Sequence, residues 1–242
     1  MFPIRDNVPG RTTPWVTWML ILVNVMVFRY QTSLDSEALR LFLYEYGFVP
    51  AQLSQHLVEG ITSDSVLVFR SMGTSLFLHG GWLHLITNMW SLWLFGDNVE
   101  DSVGRFRFIV FYLAAGLAAS LVHFLFSPLS SLPTIGASGA IAAVMGAYVV
   151  MFPLAKIVTL IPIFFIPLFV ELPAMVFIGI WFFTQVVSGV GDLMIPSMGG
   201  GIAWWAHIGG FLFGVFLIPV IRKKKWEYRC FYEDGHYHCG YE

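Results

Sequence analysis

Six apolar segments separated by polar stretches dominate this sequence. Only 12% of its 242 residues are charged, whereas soluble domains carry about 25%. Apolar segments of this kind cross a bilayer as helices, because a helix satisfies its own backbone polar groups in hydrocarbon. The sequence therefore predicts an all-α polytopic membrane protein with six transmembrane helices. The segments are residues 15–28, 82–96, 108–126, 138–151, 169–187 and 203–221.

Basic residues are distributed unevenly between the two sides of this six-helix arrangement. Ten lie on one side and three on the other, and basic residues concentrate in cytoplasmic loops. Both termini are therefore predicted to be cytoplasmic, with an N-terminal arm (1–13), a membrane domain (14–222) and a C-terminal tail (223–242). We expect no signal peptide, because the polar N-terminus and the segment after it lack a small-residue cleavage site. We expect the protein in the plasma or inner membrane. The larger set is Arg5, Arg11, Arg105, Arg107, Lys156, Arg222, Lys223, Lys224, Lys225 and Arg229, and the smaller set is Arg29, Arg40 and Arg70.

The connections between the apolar segments differ in character. Residues 32–78 mix charged and aromatic side chains, which is typical of a segment at the membrane interface or of an ordinary extramembrane loop, with a helix break at residues 46–50. Residues 152–168 contain prolines and are expected to form a re-entrant or interfacial connection. Residues 97–107 are expected to be a polar turn, and residues 188–202 a glycine-rich loop.

Ser138 opens the fourth apolar segment and lies between small residues, Gly136, Ala137 and Gly139. Small neighbours leave its hydroxyl approachable, and the free N–H groups of a helix start suit a developing negative charge. A helix over residues 138–151 is about 21 Å long, against a hydrocarbon core of about 30 Å. We therefore expect Ser138 below the membrane surface, beside a hydrated pocket. The pattern predicts a nucleophile, and the alternative is a serine that caps a transmembrane helix.

His207 lies on the sixth segment, and Gly210 and Gly214 follow it on the same helix face. Glycines at this spacing let another helix backbone approach closely. If the two segments dock through their small residues, His207 comes near Ser138. The small residues of the fourth segment are Gly139, Ala142, Ala143 and Gly146.

A histidine that reaches Ser138 would form a catalytic dyad, because no Asp or Glu accompanies it within the membrane. His207 would take the serine proton and return it to the leaving amine. His84 and Asn88 share one face of the second segment, and His79 lies just before that segment. The ring N–H of His84 and the amide N–H of Asn88 could contribute to an oxyanion hole. The alternative for such polar groups is hydrogen bonding between helices.

Four sequence motifs resemble those of the rhomboid intramembrane serine proteases, in the family's order and spacing. The resemblance extends from about residue 14 to 222. Phe69-Arg70 stands where family members often carry Trp-Arg. The four motifs are Gly-Ala-Ser-Gly at 136–139, His-x4-His-x3-Asn at 79–88, Ala-His-x2-Gly-x3-Gly at 206–214 and Tyr-Gly-Phe-Val-Pro at 46–50.

The resemblance implies a six-helix fold, with a short fourth helix carrying the serine, that cleaves peptide bonds in or near the transmembrane segments of membrane protein substrates. It implies that Ser138 is the nucleophile, that His207 is the base, and that the fifth segment flanks the path by which substrate enters. His84, Asn88 and the Ser138 amide would line the oxyanion hole. It implies no cofactor, no metal and no nucleic-acid partner. The supporting motif residues are Gly136, Gly139, His79, Gly210 and Gly214.

Other functions are compatible with parts of this pattern. An inactive rhomboid-like scaffold would bind membrane helices without cutting them, but such relatives lack the serine or the histidine. A small channel or transporter would explain polar groups in the membrane but not a serine at a short helix start. Hydrolysis of lipid headgroups is a weaker alternative.

The tail contains both cysteines of the chain, Cys230 and Cys239, together with His236 and His238. These four residues could bind zinc. The alternative is a polar tail with reduced thiols, because the cysteine count gives no sign of a disulfide framework. His123 is expected to lie at the membrane interface without a chemical role.

Overall fold

The computed structural model describes residues 1–60, 65–163, 166–194, 201–223, 228–233 and 236–241. Within these residues the chain forms nine α-helices, a 3-10 turn (Ser75–Phe77) and five strands. The helices are α1 (Trp15–Gln31), α2 (Ser36–Tyr46), α3 (Pro50–Glu59), α4 (Ser65–Thr74), α5 (Trp82–Val103), α6 (Arg105–Phe126), α7 (Ser138–Met151), α8 (Ala174–Met194) and α9 (Trp204–Ile221). The strands are β1 (Phe2–Arg5), β2 (Lys156–Ile163), β3 (Ile166–Pro173), β4 (Tyr228–Glu233) and β5 (His236–Tyr241).

Three helices of the described chain are long and apolar enough to cross a membrane, namely α6, α8 and α9. The shorter apolar helix α7 lies at the centre of the fold, and its small side chains are buried by α5, α6 and α9. The short central helix thus has protein on nearly every side.

Helix α2 ends at Tyr46 and α3 begins at Pro50, where the sequence predicts a helix break.

A three-stranded sheet makes the all-α prediction wrong. Strands β2 and β3 form an antiparallel hairpin, and β1 from the N-terminus pairs with β2. The sheet takes up residues that were expected to be a re-entrant connection and the start of the fifth apolar segment. Because β3 runs to Pro173, α8 begins at Ala174 rather than near residue 169, and it continues to Met194 through part of the predicted glycine-rich loop. Residues 195–200 of that loop lie outside the described residues.

The N-terminal arm is bound to the last turns of α5, which are helical where the sequence predicts a polar turn. Asp101 accepts hydrogen bonds from the backbone N–H and Nε–H of Arg11, both at 3.0 Å. Glu100 accepts from the backbone N–H and the hydroxyl of Thr17, both at 2.8 Å. These partners satisfy the buried carboxylates, so α5 continues to Val103 and α6 follows directly.

Further along the arm, Asp6 is held against the central helix. Its carboxyl accepts hydrogen bonds from the Tyr148 hydroxyl and from Asn98 Nδ2. Burial raises the pKa of the Asp6 carboxyl to about 6, although the Tyr148 hydrogen bond opposes this shift. Trp90 Nε1 donates to the Pro3 carbonyl at 2.6 Å. The arm is therefore part of the folded body.

The C-terminal tail forms a hairpin in which Cys230 and Cys239 face each other and are joined by a disulfide. The prediction of reduced thiols is wrong, because antiparallel pairing of β4 and β5 places the two residues in register. The bond occupies both sulfur atoms, so the zinc alternative loses its two thiolates. The side chains of His236 and His238, and residues 224–227 with Lys224 and Lys225, lie outside what the structure describes.

Candidate active site

Ser138 is the first residue of α7, and its hydroxyl contacts the imidazole of His207 on α9. Ser138 Oγ and His207 Nε2 are 2.8 Å apart. The other ring nitrogen, Nδ1, lies 2.8 Å from Oε1 of Gln185 on α8. Three helices thus contribute one side chain each to a continuous hydrogen-bonded chain, in which a hydroxyl faces a possible proton acceptor.

Backbone contact between α7 and α9 brings these two groups together. Gly210 and Gly214 face the carbonyls of Gly139 and Ala143, and a Cβ at either glycine would overlap those carbonyl oxygens. On the other side of α7, a Cβ at Gly139 would lie 2.6 Å from the Ala119 Cβ. The small residues therefore set the separation of the helices, as their sequence pattern predicts.

The loop before Ser138 passes over the face of α5 that carries His84 and Asn88. Gly136 has a positive φ of 123°, a conformation that favours glycine. A Cβ there would lie 2.8 Å from His84 Nε2 and 3.7 Å from Asn88 Nδ2. The Gly136 N–H donates to the Ser75 carbonyl at 2.9 Å. Both side chains consequently lie beside the backbone two residues ahead of Ser138.

The hydrogen bonds of His84 and Asn88 leave donors available at this loop. His84 Nδ1 accepts from the Gly80 N–H at 3.4 Å, so the proton of a neutral ring resides on Nε2. Asn88 Nδ2 is buried and has no hydrogen-bond partner among the described residues. Two N–H groups near Ser138 are thus available to an oxygen that gains negative charge.

His79 lies behind His84 rather than at Ser138. The two rings make an edge contact with centroids 5.1 Å apart. Gln31 of α1 holds the His79 backbone with two hydrogen bonds, from Nε2 to the carbonyl at 3.0 Å and from the His79 N–H to Oε1 at 3.1 Å. His79 therefore supports the wall of the site.

A cavity of about 20 Å³ adjoins Ser138. This volume holds a water-sized molecule. Its lining combines hydroxyl groups and glycine or alanine residues with two larger apolar side chains, Leu76 and Ile135. Among the lining residues are Ser75, Gly116, Ala119, Ser120, Thr134 and Ser138.

Sequence reasoning missed two glutamines that support the site. Gln185 contacts His207 directly, and Gln31 fixes the backbone of His79. Each is a polar residue within or at the end of an apolar helix, which is the signal that could have identified it. His123, expected at the membrane interface, is buried within the protein.

Comparison with known proteins identifies the family of this chain. A sequence profile of the rhomboid domain matches residues 68–224. The chain belongs to the rhomboid family. As a rhomboid with three candidate spans among its described residues, it is a mostly helical protein embedded in a lipid bilayer.

Several rhomboids resemble it over part of their length. Presenilin-associated rhomboid-like protein A, mitochondrial, of Danio rerio is 29% identical over 191 residues, 75% of this chain and 45% of the relative. Rhomboid protein 1, mitochondrial, of Saccharomyces cerevisiae is 31% identical over 164 residues, which are 62% of this chain and 42% of the relative. Rhomboid protease GluP of Bacillus subtilis is 46% identical over 74 residues, which are 31% of this chain and 14% of the relative. The chain spans less than half the length of these relatives.

The names of these relatives state the compartment in which some of them are found. Two of the three are mitochondrial. The comparison therefore does not support the expected plasma membrane location, while a membrane environment itself follows from the family.

Proposed function

We propose that this rhomboid is an intramembrane serine endopeptidase that cleaves peptide bonds in or near the transmembrane segments of membrane protein substrates. The observation that carries the proposal is the 2.8 Å contact between Ser138 Oγ and His207 Nε2. Membership of a family that includes a rhomboid protease supports the reaction class. The residues present require no cofactor and no metal for this chemistry.

In the first step, Ser138 Oγ attacks the carbonyl carbon of the scissile peptide bond. As the new C–O bond forms, the hydroxyl proton passes to His207 Nε2, and the carbonyl π electrons move onto the carbonyl oxygen. That oxyanion accepts hydrogen bonds from the Ser138 backbone N–H, His84 Nε2–H and Asn88 Nδ2–H. Donors fixed in a site of low dielectric act strongly on developing charge.

In the second step, the tetrahedral intermediate collapses and the C–N bond breaks. The proton on His207 Nε2 moves to the leaving amine, and the acyl group remains as an ester on Ser138. Water then attacks the ester, gives a proton to His207 and releases the carboxylic acid, and the proton returns to Ser138 Oγ. Each proton passes through the same imidazole nitrogen.

The proposal includes six membrane-crossing helices, α1 and α5 to α9, within residues 14–222, with the 1–13 arm and the 223–242 tail in the cytoplasm. The uneven distribution of basic residues supports this orientation. The Cys230–Cys239 disulfide weighs against it, because disulfides are rare in reducing compartments. A reporter fused to the tail decides between the two arguments.

The direct test is to incubate the purified full-length chain with a model single-span membrane protein and to identify the fragments by mass spectrometry. We expect cleavage in or near the span, and labelling of Ser138 by a serine-directed fluorophosphonate. Well-folded Ser138→Ala should do neither. Cleavage by that variant would refute the protease assignment, and a wild type that neither cuts nor reacts would favour the inactive scaffold.

A further inference from the structure

Gln185 completes the hydrogen-bonded chain that begins at Ser138. It is a buried polar residue in the mostly apolar middle of α8, with 6% of its surface exposed. Its Oε1 lies 2.8 Å from His207 Nδ1, the ring nitrogen that does not face the serine. The contact joins α8 to the site on α7 and α9. The Gln185 amide occupies the position that a carboxylate holds in a serine–histidine–aspartate triad.

The orientation of the Gln185 amide follows from its other partners. Nε2 donates to the Trp181 carbonyl at 3.2 Å and to Thr184 Oγ1 at 3.1 Å. The reverse orientation would set the amide oxygen against the Trp181 carbonyl oxygen, and neither of these oxygens carries a proton. The amide oxygen therefore faces His207.

An acceptor at Nδ1 decides which ring nitrogen of His207 carries the proton. A neutral imidazole has one N–H group, and the Gln185 oxygen requires that group at Nδ1. Nε2 is then left with its lone pair directed at the Ser138 hydroxyl, 2.8 Å away. This is the tautomer that a general base must have in order to accept the serine proton.

We propose that Gln185 is a positioning residue that fixes the tautomer and ring orientation of His207 for catalysis. The inference rests on the proposed protease function. An amide supplies the acceptor without a charge, which avoids the penalty of placing a carboxylate within a membrane. The same hydrogen bond persists when His207 carries a second proton, because Nδ1–H remains a donor throughout the reaction.

Gln185→Met, Gln185→Glu and Val187→Met separate positioning from packing. Methionine has a similar length but no strong acceptor. Glutamate restores an acceptor oxygen, and when protonated its O–H can also donate to the Trp181 carbonyl. Val187 lies on the same helix with 54% of its surface exposed, so Val187→Met introduces the same side chain away from His207. Each full-length variant is assayed for kcat, KM, the rate of fluorophosphonate labelling and the thermal unfolding midpoint.

We expect Gln185→Met to lower kcat and the labelling rate roughly tenfold with KM unchanged, the factor that one ordinary hydrogen bond supplies. Gln185→Glu should recover most of that loss, and Val187→Met should match the wild type. Equal kcat and labelling rate for Gln185→Met and the wild type would overturn the inference and leave the protease assignment intact. Equal losses in the Met and Glu variants, or a lower unfolding midpoint with unchanged kcat, would also overturn it. A wild type that neither cuts nor reacts overturns both proposals.

Discussion

Replacing Gly210 by alanine should slow turnover without touching a reacting group. A Cβ at Gly210 would overlap the Gly139 carbonyl oxygen and would lie 2.9 Å from the carbonyl carbon. Ordinary contacts between carbon atoms are about 3.5–4.0 Å, so the contact with the carbonyl carbon alone requires α9 to move away from α7 by at least about 0.6 Å, and the overlap with the oxygen requires more. His207 lies one helical turn before Gly210 and would move with it.

That displacement is large on the scale of the Ser138–His207 hydrogen bond. The bond would lengthen from 2.8 Å to at least about 3.4 Å, beyond the range of a good hydrogen bond. Because a misplacement of about 1 Å can slow a reaction about 100-fold, we expect kcat to fall roughly 10- to 100-fold. Gly210→Val, with a larger side chain, should be at least as slow.

The assay is steady-state cleavage of the model single-span substrate, alongside thermal unfolding of each variant. Gly179→Ala is the matched control, because Gly179 lies on α8 and a Cβ there would meet no atom within 4 Å among the described residues. We expect it to keep the wild-type kcat, and to be slightly more stable because alanine favours a helix. If Gly210→Ala also keeps the wild-type kcat, the contact does not set the Ser138–His207 distance, and the reasoning is refuted.

Four further predictions follow from the site and the arm. Ser138→Ala, His207→Ala and the double variant should have similarly low kcat, because the two residues act as one unit; a double variant that is additively slower would contradict this. Asn88→Ala should lower kcat by about 100- to 1000-fold, less where other donors compensate, and a change in KM alone would exclude an oxyanion role. Because burial raises the pKa of Asp6 to about 6, above its unfolded value near 3.9, the stability due to the neutral carboxyl is complete below about pH 4 and is lost as pH rises through about 6. Asp6→Asn should flatten that part of the curve of unfolding midpoint against pH, and an unchanged curve would assign the slope to other groups. A reporter fused after residue 225 should be active only in the cytoplasm, and activity on the opposite side would overturn the proposed orientation.

Local pattern explains why much of the core could be predicted from the sequence. A long apolar run that starts after a small-residue loop and ends before a proline is typical of a helix, and α7 begins at Ser138 and ends at Met151, at the predicted residues. The glycines after His207 predict a close backbone approach, because small side chains at that spacing let another helix backbone come near. Chemistry at Ser138 could therefore be proposed before any contact was known.

The tertiary structure alone determined the sheet and the extension of α5. Strand β1 pairs with residues about 150 positions later in the chain, and no local period indicates such a partner. The acidic end of α5 remains helical because Arg11 and Thr17 from the N-terminal part of the chain satisfy Asp101 and Glu100. Isolated from those partners, the same residues are typical of a turn.

The third member of the hydrogen-bonded chain also required tertiary structure. The sequence places Gln185 in an apolar helix but does not determine how that helix is rotated relative to α9. The 2.8 Å contact between Gln185 Oε1 and His207 Nδ1 could therefore not be predicted. The sequence by itself determined which residues are available for chemistry, because residue type and helix position are local properties. Only the packing of α7, α8 and α9 decided which of these residues touch, because the separation and rotation of helices depend on contacts between distant parts of the chain.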